Sequence, residues 1–444
     1  MADLITLQNC REEFLLNQNL YNKMESYYNG KTDAIANYEV ITERANNKVA
    51  NNMLQKFVIE EAAYVCGNKT TYTSHSNNPN IIEDIRANTF HWSEKHDREL
   101  CKEALKFYEA YELYYVNTDG LFSSIILTPR DTYVLRDDID NVVLVIRFFM
   151  KKFDLITIYA DVYEGNTVSH YTIEGEGFAE YRGTNEELKF VDTTIFSKVP
   201  LSVCHIGTVY ESLYNNIKGA QDGYETISSD LVNEISDMRN AFLVFTNCQV
   251  ADADLIKMKE LGVMQLPGDK ATAAFLVKDL SDSFIQNAMS TLKESMYELS
   301  NHINHNEKLS SNTSSLAMKN RLIGLQQKCT TSIQTMRDCI KLRLQFLFEY
   351  LKVKKAVVYL YTDVDITLVP NLPTDDLLTA EILTQLNGKV STRTGIKQLS
   401  FISNVDTEMD LLAEENKANS IGAGLLNPVV PPIVEPAAVS KASI

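Results

Sequence analysis

Residues 320–353 read NRLIGLQQKCTTSIQTMRDCIKLRLQFLFEYLKV, and the apolar positions in that run decide the architecture. Leu322, Leu325, Cys329, Ile333, Met336, Ile340, Leu344, Leu347 and Leu351 recur at intervals of three and four, close to one helical turn. The spacing predicts a helix of about 37 residues, roughly 55 Å long at 1.5 Å per residue. Working backward, Ile285, Ala288, Leu292, Met296, Leu299 and Ile303 make a second stripe of about six turns, with Ser281 or Ser283 placed to cap it. A third stripe runs through Leu213, Ile217, Ala220, Tyr224, Ile227, Leu231, Ile235, Met238, Phe242 and Phe245. It predicts a helix of about 35 residues, in which Gly219 and Gly223 permit a bend or a close contact. Helices this long do not bury both sides in a small globular monomer, so they are expected to form a coiled coil or to line up against copies of themselves. An average repeat nearer about 3.6 than 3.5 favours straight helices side by side.

The N-terminal half mixes helix and strand. Ile41 to Cys66 carries a helical pattern that stops at Gly67, and Glu94 to Tyr114 reads as a second helix. Between Ile125 and Glu180, the runs ILTPRDTYVLRD, NVVLVIRFFM, LITIYADVY and SHYTIEG are β-branched and aromatic, separated by Asp, Asn and Gly, which predicts a meander of antiparallel strands. Beyond the longest helix come a strand over Lys355 to Val369, a turn at Pro370-Asn371-Leu372-Pro373, a helical segment over Asp375 to Leu386, Gly388, and an acidic helix over Asp406 to Lys417. The Pro-rich residues after 419 are expected to be a disordered tail. The fold class is α+β.

Composition narrows the function. The 444 residues are 45 % apolar and carry a net charge of −17, whereas a protein that grips DNA tightly usually presents a basic face. An acidic wall is still compatible with a conduit that lets a polyanion slide past. No run of about eighteen apolar residues exists and the start MADLITLQNCREEF is acidic, so neither export nor a membrane span is expected. Seven dispersed cysteines without a CxxC pair fit a reducing cytoplasm. The P-loop-like fragment Pro267-Gly268-Asp269-Lys270-Ala271-Thr272 lacks the first glycine and the Lys-Ser/Thr adjacency, and Gly175-Glu176-Gly177 fails the dinucleotide fingerprint. His302 and His305 lack a third ligand nearby, and Asp137, Asp138 and Asp140 read as a hairpin turn. Neither an enzyme, a cofactor nor a metal site is expected.

Several ordered motifs carry a family resemblance along almost the whole chain. Tyr21-Asn22-Lys23-Met24-Glu25-Ser26-Tyr27-Tyr28-Asn29-Gly30 comes first, then Asn46-Asn47-Lys48-Val49-Ala50-Asn51-Asn52 leading to Tyr64-Val65-Cys66-Gly67-Asn68-Lys69. Lys198-Val199-Pro200-Leu201, Asn240-Ala241-Phe242-Leu243-Val244-Phe245, Ser310-Ser311-Asn312-Thr313-Ser314-Ser315-Leu316-Ala317-Met318-Lys319 and Val390-Ser391-Thr392-Arg393-Thr394 follow in order. Together they resemble the portal proteins of tailed bacteriophages, of the Bacillus siphophage type, with Ser315 in place of the family's usual glycine.

The resemblance implies a ring, usually of twelve subunits, at one capsid vertex, through which double-stranded DNA is packaged and ejected. Carried onto this chain, it implies a wing (1–208), a stem helix (209–247), a clip (248–280), a second stem helix (281–303), a tunnel loop (304–314), a tunnel helix returning to the wing (315–372), a crown (373–419) and a tail (420–444). It implies DNA-channel residues Asn304, His305, Asn306, Glu307, Lys308, Ser310, Ser311 and Asn312, with Lys319, Arg321 and Lys328 as DNA-facing basic candidates. The implied partners are further copies of the chain, DNA in transit, the terminase large subunit, a head-tail adaptor, and the major capsid and scaffolding proteins. The location is the virion after assembly in the bacterial cytoplasm. The competing class is a cytoplasmic helical scaffold forming coiled-coil dimers or filaments.

Overall fold

The computed structural model describes residues 2–39, 45–183, 188–238, 242–249, 270–276, 282–304 and 315–370, and residues 381–424 apart from 382, 387–388, 397–398, 400–401 and 403–404. From the N-terminus come α1 (Leu4–Tyr28), α2 (Asp33–Ala36), α3 (Met53–Val65), β1 (Thr71–Ser74), α4 (Pro79–Thr89) and α5 (His96–Phe107). The strands β2 (Glu109–Val116), β3 (Phe122–Leu127), β4 (Thr132–Arg136), β5 (Val142–Lys151), β6 (Asp154–Glu164), β7 (Thr167–Glu174), β8 (Gly177–Glu180), β9 (Val191–Thr193) and β10 (Leu201–His205) follow. Then come α6 (Leu213–Met238), β11 (Phe242–Thr246), β12 (Thr272–Leu276), α7 (Asp282–Ser300), α8 (Ser315–Lys355) and β13 (Val364–Thr367), and finally α9 (Thr392–Ile396) and α10 (Val405–Gly424). The chain divides into one unit over Met1–Asn371 and a second over Leu372–Ile444.

The expected meander is there, shared between two sheets. Strands β4 to β8 pair antiparallel in sequence order with β9 on β7, while β3 belongs to a three-stranded sheet of order β10-β2-β3. The run ILTPRDTYVLRD therefore spans both sheets. α1 covers one face of the larger sheet, placing Leu7, Cys10 and Phe14 on Leu144, Ile146, Phe148, Ala160 and Val162. On the opposite face, Val145 packs with Tyr111, Leu113, Leu127, Val199 and Leu201. Burial on both faces explains why Leu144, Val145 and Ile146 are apolar in succession instead of alternating with polar residues.

Five boundaries differ from the expectation. Residues 45–52 are not helical, because Asn52 caps α3 by accepting the Gln55 N–H at 3.2 Å; residues 40–44 lie outside the described residues. The expected 94–114 helix stops at Phe107, where Tyr108 takes a left-handed φ of 60° and turns the chain into β2. The 35-residue helix stops at Met238, since Phe-Leu-Val-Phe-Thr is a β-branched and aromatic run that pairs with β12, Phe242 opposite Leu276. Only Val364–Thr367 of the expected 355–369 strand pairs, antiparallel to β1, after α8 has run on to Lys355. In the second unit α10 continues to Gly424, past the expected start of the tail at 420; residues 425–444 and 371–380 lie outside the described residues, as does Gly388. There, α9 is close-packed: a Cβ added at Gly395 would meet the Leu383 side chain at 3.1 Å.

The largest departure concerns the longest helix. Its apolar stripe was expected to wait for neighbouring copies, yet Leu325, Cys329, Met336, Ile340, Leu344, Leu347 and Leu351 are all buried within the subunit, and α8 lies against α3, β10 and β13. Its C-terminal half also buries Arg343, Phe346, Phe348 and Tyr350, so the helix is a central rod of this unit. The small sheet and the N-terminal helices supply the apolar surface that was expected from another subunit.

In the C-terminal half of that rod Arg343 is 3 % exposed, and Glu112 of β2 is fully buried. The Arg343 guanidinium donates to Glu112 Oε2 from Nε at 3.1 Å and Nη2 at 3.0 Å, and its Nη1 lies 2.7 Å from Asp97 Oδ1. Glu112 also contacts His96 Nε2 at 2.8 Å and accepts from the Tyr114 hydroxyl at 2.9 Å. Burial pushes the Glu112 carboxyl up, but Arg343 and His96 outweigh it and hold it at about 2. Arg343→Met strands a buried carboxylate and is expected to cost about 3–5 kcal/mol by denaturant melts, whereas Arg343→Met with Glu112→Gln recovers most of the loss.

Candidate functional site

α7 ends without a glycine. Asn301 takes a φ of 56°, its N–H donates to Glu298 O at 3.1 Å, and the His302 N–H donates to Tyr297 O at 3.0 Å. These are the two bonds of a Schellman motif, with asparagine at the left-handed position. The motif directs the His302 ring inward, where it tilts against Phe57 of α3 with centroids 4.5 Å apart; Phe57 also meets Tyr297 edge-on at 5.2 Å.

The His302 ring lies between two carbonyl oxygens, Nδ1 2.8 Å from Ser300 O and Nε2 3.1 Å from Phe57 O. Carbonyls only accept, so a neutral ring donates to one of them and an imidazolium to both. Burial, reinforced by the Lys328 charge, opposes the cation and wins: the imidazole is pushed down to about 4. Beside the ring, the Lys328 ammonium is 2.8 Å from Glu61 Oε2 and donates to Ser300 O at 3.2 Å. The Ser332 hydroxyl donates to the other Glu61 oxygen at 3.1 Å.

This cluster adjoins the expected channel residues. Asn304 is described and has a polar partner, while His305, Asn306, Glu307, Lys308, Ser310, Ser311 and Asn312 lie outside the described residues. Lys319 and Arg321 belong to the first turns of α8, and their side chains are not described. The third basic candidate, Lys328, points into the subunit, and its charge is compensated there by Glu61.

A second polar constellation, on α6, escaped the sequence reading. Gln221, Glu225, Ser229 and Asn233 stand four residues apart, are buried, and grip the backbone of residues 47–54, from the irregular stretch into the first turn of α3. Asn47 N–H donates to Asn233 Oδ1 at 2.6 Å, Val49 N–H to Ser229 Oγ at 3.0 Å, Asn51 N–H to Glu225 Oε1 at 2.8 Å and Leu54 N–H to Gln221 Oε1 at 3.3 Å. The Thr32 hydroxyl donates to the second Glu225 oxygen. Burial raises the Glu225 carboxyl in spite of these donors. The signal was available as a polar repeat of four alongside the apolar stripe.

Elsewhere the constellations weighed in the sequence are structural. Asp137 accepts from Ile139 and Asn141 N–H groups at 3.0 and 2.8 Å in the β4–β5 turn, and Gly175, with a φ of 61°, turns β7 into β8. Residues 267–269 of the P-loop-like fragment lie outside the described residues, as do Ser281 and His305, while Ser283 falls within α7. Among the described residues no group of three His, Cys, Asp or Glu side chains is placed to hold a metal, and no helix is long and apolar enough to cross a membrane.

A family model described as phage portal protein, SPP1 Gp6-like, matches residues 7–421. No curated protein matches the chain. Among solved structures, a chain from the virion of a native gene transfer agent particle is similar at a TM-score of 0.45 and 11 % identity, over 80 % of this chain and 88 % of that one.

The His302 environment predicts a pH dependence. A folded-state value of about 4 against 6.5 for the free ring means that the unfolded chain binds the proton first. Stability is therefore full above about pH 6.5 and is lost on the way down to 4, by on the order of 3 kcal/mol. Melts of His302→Gln across that window are expected to show a slope shallower than wild type; an unchanged slope excludes the assignment.

Proposed function

The chain belongs to the phage portal protein family, SPP1 Gp6-like, and from that premise we propose that twelve copies close into a ring whose bore carries double-stranded DNA into and out of the capsid. The family match over residues 7–421 carries this reading. In the family's terms residues 1–208 are the wing, 209–247 and 281–303 the two stem helices, 248–280 the clip, 304–314 the tunnel loop, 315–372 the tunnel helix with its return to the wing, 373–419 the crown and 420–444 the tail.

Surface chemistry supports the proposal. α6 and α7 lie side by side, and each keeps apolar side chains in solvent after that pairing: Ile235 is 51 % exposed, Phe284 72 % and Leu299 54 %. Repeated around an axis, such positions find cover on the next subunit. The net charge of −17 suits a bore that must not hold DNA fast. Asn304, His305, Asn306, Glu307, Lys308, Ser310, Ser311 and Asn312 are the residues assigned to the bore, joined by Lys319 and Arg321.

The protein is structural in this reading, without hydrolytic chemistry of its own. Force comes from the terminase large subunit docked at the clip, which a head-tail adaptor later replaces. The major capsid and scaffolding proteins surround the wing, and assembly takes place in the bacterial cytoplasm before the ring becomes part of the virion.

Negative-stain images of the purified chain are expected to show rings with a central hole, and light scattering to give about 600 kDa, twelve times the 50.2 kDa subunit. No ATP hydrolysis is expected. Ile235→Asp with Phe284→Asp should abolish rings while leaving the circular dichroism spectrum intact. Rods or filaments in place of rings would favour the helical-scaffold alternative and sink the portal reading.

A further inference from the structure

The cluster at the end of α7 sits where the chain leaves the described fold toward residues 305–314, and its parts come from three elements: Glu61 from α3, Ser300 and His302 from the end of α7, Lys328 and Ser332 from α8. Glu61 and Ser300 are fully buried, and the Lys328 side chain is 22 % exposed. Gly324, one turn before Lys328, completes the contact, since a Cβ built there would sit 3.6 Å from Asn301 Oδ1. The end of α7 is therefore seated against α8 at the level of Gly324 and Lys328. α8 begins at Ser315, nine residues earlier, so about 13 Å of helix precedes this seat.

We propose that Lys328 is a positioning residue: by bridging the Glu61 carboxylate and the Ser300 carbonyl it locks the end of α7 to α8 in one register and so fixes where the channel segment begins. This rests on the portal reading for its meaning, although every contact involved lies within one subunit. The ammonium acts as a cap. Ser300 O is a carbonyl at a helix C-terminus, where partial negative charge collects, and a lysine charge placed there is favourable. Glu61 holds that charge in place from the opposite side, and Ser332 satisfies its second oxygen. A slip of α7 by one turn along α8, about 5.4 Å, would break all of these contacts together and carry Asn304 with it.

The alternative role for Lys328 is a phosphate contact in the bore. It differs in a measurable way, because a phosphate ligand weakens DNA contact when removed but leaves the end of α7 in place. Lys328→Met alone strands Glu61 and is liable to misfold, so the informative chain is the full-length double variant Lys328→Met with Glu61→Gln, in which both charges are removed. The expected result is rings in wild-type yield, amide exchange at residues 300–304 accelerated by about tenfold or more, and exchange elsewhere in α8 unchanged. DNA-filled particles made from this ring are expected to fall by a similar factor. Lys328→Arg, which retains the bridge, should restore both.

Unchanged exchange at 300–304 overturns the proposal, and if DNA filling falls at the same time Lys328 is a phosphate ligand instead. Failure of the wild-type chain to form rings would count against the portal reading alone. The exchange comparison would then still decide whether the lock exists, since it is read within a single subunit.

Discussion

A buried guanidinium cannot be left unpaired, and that requirement organises the larger unit. Arg343 comes from the C-terminal half of α8, Asp97 and His96 from α5, Glu112 and Tyr114 from β2, and the Tyr114 hydroxyl reaches Ser202 of β10 at 2.7 Å. Trp92 lies beneath the guanidinium, 5.2 Å from its carbon to the ring centroid. Four elements from three separate stretches of the chain, α5 with β2, β10 and α8, must arrive together before the charge is satisfied, since a half-built network leaves ions in a low-dielectric interior. Apolar burial supplies the attraction; this network selects one arrangement of helix against sheet.

The same logic recurs at lower stakes along the other long helices. α6 uses one face for α7 and another, polar and buried, for the backbone of residues 47–54. α8 uses its C-terminal half for the core and its N-terminal third, at Gly324 and Lys328, for the seat of α7. Each rod is thus assigned a distinct neighbour by its polar contacts. The Ile235, Phe284 and Leu299 side chains left in solvent are the remainder available to other copies.

Period was readable in the sequence and partnership was not. The stripe from Leu325 to Leu351 announced the helix α8, and the aromatic and β-branched runs announced the meander, because both follow from local repeat lengths. What the stripe could not disclose was its partner: α3, β10 and β13 cover it, and two of those come from sequence more than a hundred residues away. Phe242 and Phe245 fell in phase with α6 although the backbone there pairs with β12, since an apolar run as short as Phe-Leu-Val-Phe has no period of its own to tell helix from strand. The ordered motifs indicated the family, and the family model covers residues 7–421. Of the site, Lys328 was singled out for its charge, while its partner Glu61 lies 267 positions earlier and nothing local links the two.

The grip of α6 on residues 47–54 runs in opposite sequence directions, Asn233 to Gln221 against Asn47 to Leu54. Three of its rungs meet alternate N–H groups, at Asn47, Val49 and Asn51, and the fourth reaches Leu54, three residues on and already in the first turn of α3. That last bond satisfies one of the N–H groups that a helix start leaves without an intrahelical partner, so Gln221 serves α3 as a cap from outside beside the local cap of Asn52. A helix more than 150 residues later in the chain thereby helps to decide where α3 begins.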